Sequence, residues 1–275
     1  MNQKLFTLFI CIFFLTITTN QVHGQAFSLD EYPADQSTIY FEYSYPFLDS
    51  KSSLSLLSGT YNLSLQIPVT QSINLVGKLP FTAVGGGYIE NTSSIGNVYV
   101  GIQTRIKGDE QKGSSISAGI SLPTTAFSES APWIIGYYTD VLNSYRYVPN
   151  YTTVRVSIGF HNRKPQKKFR SIHMGAYMLM PKDTDERDVE VYAKYGFSIG
   201  TWLGRTILSG ELHGQAIITE DIPSFTGRFF HSITLAATYD RYSLKPSLFL
   251  RTYLSKLIGQ SLDFIVGIKL TIPLG

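Results

Sequence analysis

Leu262-Asp263-Phe264-Ile265-Val266-Gly267-Ile268-Lys269-Leu270-Thr271-Ile272-Pro273-Leu274 is the stretch that decides the fold. Successive side chains of a strand point to opposite faces, so residues two apart share one. Leu262, Phe264, Val266, Ile268, Leu270, Ile272 and Leu274 therefore predict one apolar face, and Asp263, Gly267, Lys269 and Thr271 a small and polar one. The segment before it repeats the pattern, with Leu244, Leu248, Leu250 and Leu254 opposed to Lys245, Ser247, Arg251 and Tyr253. So do Tyr61, Leu63, Leu65, Ile67 and Val69 against Asn62, Ser64 and Gln66, and Val98, Val100, Ile102 and Ile106 against Asn97, Tyr99, Gln103 and Arg105.

Read this way, the chain predicts strands at 38–48, 58–70, 72–84, 95–106, 113–123, 150–162, 169–181, 189–203, 206–219, 228–240, 242–255 and 262–274, with no helix between them. Every second link is short: Thr70-Gln71, Lys107 to Lys112, Arg163 to Lys168, Gly204-Arg205 and Asp240-Arg241. The intervening links, Gly85 to Ser94, Thr124 to Pro149, Lys182 to Asp188, Glu220 to Gly227 and Lys256 to Ser261, are longer and more varied. Short periplasmic turns and longer outer loops are the habit of outer-membrane barrels, and an even strand count returns both ends to one side. The expectation is an all-β, closed, antiparallel up-and-down transmembrane β-barrel of about 12 strands spanning residues 38–275.

What occupies each face separates lipid from water. Lys, Arg, Asp and Glu are nearly absent from the apolar faces, as lipid exposure requires, since a Lys or Arg at the midplane costs roughly 2–4 kcal/mol. The opposite faces carry small residues, such as Ser115, Ser117, Gly119 and Ser121, where a water-exposed surface would carry long charged ones. Tyr43, Tyr45, Phe47, Tyr195, Phe197, Phe229 and Tyr239 fall on the outward face, several near strand ends, where an aromatic ring can sit at the headgroup level.

Lys4 followed by the apolar run Leu5 to Ile17 and a small residue at Gly24 reads as a signal peptide over residues 1–24, and residues 25–37 as a short periplasmic segment. The run is shorter than the roughly 20 residues that span a bilayer as a helix. Export through such a peptide predicts the outer membrane of a Gram-negative cell as the location. Cys11, the only cysteine, lies inside the run, so the mature chain has neither disulfides nor thiolate metal sites. A net charge of +3, without a clustered basic stripe, gives no expectation of nucleic acid; outer-membrane lipid is the expected partner, with small solutes. Oligomeric state is not legible.

Inward positions include Lys78, Arg105, Arg155, Lys194, Lys245, Arg251 and Lys269, with Glu42, Glu190, Glu211 and Asp263. A basic lumen concentrates anions. Alternatively the charges pair across strands, Asp263 with Lys269 or Arg251, and fill a narrow interior. His173 and His213 also face inward, without a metal-ligand spacing, so neither metal nor cofactor is expected. His231 and Ser232 are neighbours on a strand and point apart, which disfavours the Ser–His pair of a lipid hydrolase; no enzyme is expected. Thr124 to Pro149, rich in aromatic residues, folds into the mouth as a constriction, folds outward as a binding surface, or extends the neighbouring strands above the membrane through its apolar centre.

Within Gly59 to Phe127, Leu79-Pro80-Phe81, Ile95-Gly96-Asn97-Val98 and Ser121-Leu122-Pro123-Thr124 resemble motifs of the meta-pathway phenol-degradation outer-membrane family, with Asn97 in place of the family's Asp and Ala126 near its Gly. The resemblance implies an outer-membrane barrel that moves small hydrophobic or aromatic compounds, with no catalytic residues. Three readings of function follow: a passive channel or transporter for small solutes, a side-chain-filled barrel with a structural or surface-interaction role, and a lipid hydrolase.

Overall fold

The computed structural model describes residues 33–48, 54–86, 89–108, 112–125, 130–164, 167–182, 188–219, 225–240, 244–255, 258 and 262–274; the signal peptide of the sequence reading lies outside them. The strands are β1 (Thr38–Leu48), β2 (Gly59–Pro68), β3 (Ile73–Gly86), β4 (Ile89–Ile95), β5 (Tyr99–Gly108), β6 (Lys112–Ser121), β7 (Tyr151–Lys164), β8 (Lys168–Pro181), β9 (Glu190–Leu203), β10 (Thr206–Ile217), β11 (Phe229–Tyr239), β12 (Lys245–Tyr253) and β13 (Leu262–Pro273). Each pairs antiparallel with its neighbours, and β1 pairs with β13, from Thr38 opposite Pro273 to Phe47 opposite Phe264, which closes the sheet. β3 pairs with β5 over Ile73–Lys78 and with β4 over Phe81–Gly86. β4 and β5 are thus two halves of one stave, broken at Gly96-Asn97-Val98, and the barrel has 12 staves.

The two faces are inverted relative to a water-soluble barrel. Val156 is 52% exposed and Leu248 61% on the outside, whereas Arg251 and Lys269 are 2% exposed within. Such an exterior is stable only against lipid, because about 25 cal/mol is lost for each Å² of apolar surface left in water. Toward the long-link end the exterior carries aromatic contacts: Tyr43 with Tyr61 at 4.8 Å, and Phe47 stacked on Phe264 at 4.4 Å. At the opposite end the chain reverses through tight turns. In Gly204-Arg205 the glycine has φ +61°, the left-handed conformation that a two-residue hairpin turn assigns to its first position.

The structure corrects the sequence reading at three places. The link Gly85 to Ser94 is not a loop but mostly the strand β4. Nor are the links free of helix: in Thr124 to Pro149, α1 spans Ser130–Thr139 and a 3-10 segment follows over Val141–Arg146, and a single helical turn over Phe225–Arg228 precedes β11. Pro132 is tolerated in the first helical turn, where no internal N–H bond is lost. The intrinsic preference of Ile and Tyr residues for helix is weak, so contacts with the barrel wall select it.

The third correction concerns Asp263. A β-bulge shifts the register so that Leu48 faces Leu262 while Phe47 faces Phe264, leaving Asp263 extra. One additional residue reverses the side-chain phase. Leu262 therefore turns inward, 1% exposed, and Asp263 outward and exposed, so Asp263 does not line the lumen and is not placed to pair with Lys269 or Arg251.

A Val156→Arg substitution at the middle of the outward face of β7 is expected to destabilise the barrel by roughly 2–4 kcal/mol. Equilibrium urea unfolding in lipid vesicles measures it, and an Arg that costs nothing there contradicts lipid exposure of this face.

Candidate lumenal site

The inward face is layered. At the short-turn end the segment before β1 lies across the mouth: Ala34 is buried, Asn74 donates to the Ala34 carbonyl at 2.8 Å, and Arg105 pairs with Asp35 and reaches the Pro33 carbonyl. Above it lie Gln66, which donates to Gln103 at 3.2 Å, and the bonded hydroxyls of Ser117 and Ser157. Lys269 sits 5.2 Å over the Tyr40 ring. The Tyr99 ring holds Lys78 at 5.6 Å and Arg155 at 5.1 Å, distances at which a cation is attracted to the ring quadrupole.

The segment from Ser130 to Tyr147 enters this space from the long-link end. Val141 and Leu142 seat in an apolar patch of Ile217, Phe230, Tyr253, Leu262 and Ile265 on the inner wall. Tyr253 accepts from the Val141 N–H at 3.1 Å. Its other side is polar. Asp140 accepts from Arg146 at 3.0 Å and Asn143 at 2.9 Å, and lies 3.6 Å from Arg251, which is itself 4.0 Å from Glu42. Lys194 donates to Asn143 at 2.6 Å. Tyr145 packs on Tyr177 at 4.8 Å, and Tyr177 stacks on Tyr192 at 4.6 Å.

The three short motifs singled out in the sequence meet where this segment joins the wall. Gly96 donates to the Pro80 carbonyl at 2.8 Å, and Thr124 Oγ1 donates to the Gly96 carbonyl at 2.6 Å. A Cβ at Gly96 would stand 2.4 Å from the Arg146 carbonyl oxygen, so only glycine admits the segment at this distance. Asn97 is fully buried; its amide donates to the carbonyls of Tyr145 and Val148, while its Oδ1 accepts from Thr125. The break in the stave frees these groups from the strand ladder and spends them on the inserted segment.

Of the residues selected from sequence, Arg155, Glu211, His213, Lys245, Arg251 and Lys269 are buried on the inner face, and Lys78, Arg105 and Lys194 are half-buried there. Asp263 is outside. Sequence reasoning left Asp140, Asn143, Tyr145 and Asn97 out of the site; the available signal was that Asp140 and Arg146 are the only acid and base between Ala131 and Pro149. Small cavities remain between the lumenal side chains. One, of about 30 Å³, is bounded by Arg155, His173, Lys194 and His213; another, of about 10 Å³, by Gln66, Lys78, Tyr99 and Gln103. Each has room for about one water. On the exterior, His231 shares a 2.6 Å hydrogen bond with Tyr195, whereas Ser232 is buried on the inner face.

Burial pushes the Tyr145 phenol up, but the charges of Arg155, Lys194, Arg146 and Lys78 outweigh it and hold the group down at about 7. Arg155 makes the closest contact, at 2.8 Å to the phenol oxygen.

The chain is similar in structure to the COG4313 outer membrane channel from Pseudomonas putida F1, with a TM-score of 0.62 and 13% identity over 92% of this chain and 100% of that one. It is also similar to the NanC porin (TM-score 0.53, 10% identity, 86% and 100% of the two chains) and the KdgM porin (TM-score 0.51, 10% identity, 86% and 99%). No family model and no curated protein matches the sequence. At these identities the likeness gives the fold, a closed barrel of the outer-membrane type.

Absorbance at 295 nm is expected to report a tyrosinate forming near pH 7, absent from Tyr145→Phe; a wild type with no such step below pH 9 contradicts the account. Asn97→Ala leaves two buried carbonyls without a donor, at a cost of about 1–3 kcal/mol. It is expected to make the 130–148 segment cleavable by protease while the barrel stays intact on unheated gels.

Proposed function

We propose that the protein is a passive outer-membrane channel for small anionic solutes, held closed in this arrangement by the segment Ser130 to Tyr147. The observation that carries the reading is the charge on the inner face. Lys78, Arg105, Arg155, Lys194, Arg251 and Lys269 line it, against Glu42, Glu211 and the inserted Asp140. A fixed positive charge behind a low-dielectric wall raises the local concentration of anions. Asp140 supplies from the inserted segment the charge that a permeating anion would supply, since it sits between Arg146 and Arg251. The likeness in fold to channels and porins supports the reading, as does the resemblance of the Leu-Pro-Phe and Leu-Pro-Thr motifs to a family tied to phenolic compounds.

The tyrosines lend themselves to aromatic solutes. Tyr145, Tyr177 and Tyr192 form a ladder beside Lys194, whose ammonium lies 5.6 Å from the first ring and 5.8 Å from the second. Stacking with ring offset and an adjacent cation suit an aromatic carboxylate or phenolate. Placement in the outer membrane belongs to the same proposal.

A second reading, the filled barrel without conduction, is favoured by the pairing of inner side chains across the lumen, as in Gln66–Gln103, Ser117–Ser157, Lys194–Asn143 and Arg251–Asp140. Planar-bilayer recording separates the two. Breaking a buried ion pair by removing one partner costs about 3–5 kcal/mol. Asp140→Asn should therefore loosen the segment, make openings more frequent than in the wild type, and leave a reversal potential on the anion side in a salt gradient. No current from wild type, from Asp140→Asn or from a variant lacking 130–148 leaves the filled barrel as the function; cation selectivity rejects the anion reading.

A further inference from the structure

Among the described strands the outward Lys and Arg side chains gather at one place. Lys107, Lys112, Lys164, Lys168 and Arg170 all point outward at the short-turn end of four adjacent staves, β5 to β8. Asp109 and Glu110 fall between Lys107 and Lys112 in the sequence, whereas no acid lies within ten residues of Lys164, Lys168 or Arg170. The register fixes their spacing. Lys164 lies opposite Lys168, and Arg170 opposite both Asn162 and Ile199. With strands about 4.8 Å apart and about 6.8 Å between residues two apart, the three cations share a patch about 10 Å across.

Arg170 stands one row deeper than the lysines, in line with Ile199, Gly210 and Leu235. An arginine in that row lies against hydrocarbon unless its head reaches an anion or water at the interface. On either side of it is an open apolar groove. One, of about 730 Å³, is floored by Phe160, Ile172 and Phe197. The other, of about 760 Å³, is floored by Ile199, Leu208 and Leu235, where the missing side chain of Gly210 deepens the wall. Arg170 and Asn162 line both. A planar guanidinium, an amide and two ammonium groups above paired apolar grooves match a phosphodiester with two acyl chains.

We propose that this patch is a binding site for one anionic glycerophospholipid of the inner leaflet, its phosphate on Arg170 and Lys168, its headgroup toward Lys164 and its chains in the two grooves. The assignment to the inner leaflet rests on the outer-membrane reading, in which short turns face the periplasm. It is independent of conduction.

The test uses the full protein purified in mild detergent, incubated with equal dioleoylphosphatidylglycerol and dioleoylphosphatidylcholine and examined by native mass spectrometry. Wild type is expected to retain phosphatidylglycerol with a preference of more than about ten-fold, as three interfacial cations imply. The preference should fall as salt is raised, since exposed charges are screened. The Lys164→Gln, Lys168→Gln, Arg170→Gln triple variant is expected to lose it, whereas Lys182→Gln, at an exposed position past the long-link end of β8, keeps it. Folding of each variant is read from its unheated gel mobility, and the triple variant should behave in planar bilayers as wild type does. Equal retention of the two lipids by wild type, a preference indifferent to salt, a folded triple variant that keeps the preference, or displacement of phosphatidylglycerol by lipid A each overturns the proposal.

Discussion

Everything in this molecule depends on the pairing of β1 with β13. In hydrocarbon no water is present to take an unpaired N–H or C=O, so a sheet can cross a membrane only if its first and last strands satisfy each other. The eleven matched positions from Thr38 opposite Pro273 to Leu48 opposite Leu262 do this. Closure assigns the side chains as well. Once the sheet is a cylinder, the period of two in each strand becomes an outside and an inside, and every charge excluded from the lipid side has to be housed in the lumen.

That confinement explains the character of the interior. Arg251 and Lys269 are 2% exposed, a burial that ionised groups tolerate only with partners. The barrel provides them by three routes: carboxylates on other elements, as Glu42 and Asp140 beside Arg251; aromatic faces, as Tyr40 beneath Lys269 and Tyr99 beneath Arg155; and amide or phenol oxygens, as Asn143 for Lys194 and Tyr145 for Arg155. Three of these partners, Asp140, Asn143 and Tyr145, come from a single inserted segment, so its position and the electrostatic state of the lumen are coupled. An apolar patch on the inner wall, completed by Leu262 through the bulge at Asp263, gives the segment a second hold. In the channel proposed above, an apolar seat and a charged latch suit a movable part, because either can be exchanged for a solute of matching chemistry.

The sequence by itself determined the staves and their faces. Leu63, Leu65, Val100, Ile102, Leu248 and Leu250 could be assigned outward and Arg155, Lys245, Arg251 and Lys269 inward because alternation is a local property, readable wherever a strand keeps its phase. The alternation of short and long links likewise ordered the hairpins, since neighbours in sequence are neighbours in the sheet. Tertiary structure alone decided the rest. Whether Asp263 faces in or out depends on one extra residue in its pairing with β1, which no pattern within β13 contains. The helix of Ser130–Thr139 exists because the wall offers it contacts, against a weak intrinsic tendency. Asn97 makes its four side-chain hydrogen bonds with Thr125, Tyr145 and Val148, 28 to 51 positions away. Such contacts join segments that are remote in the chain and adjacent only in the closed barrel, so local periodicity cannot register them.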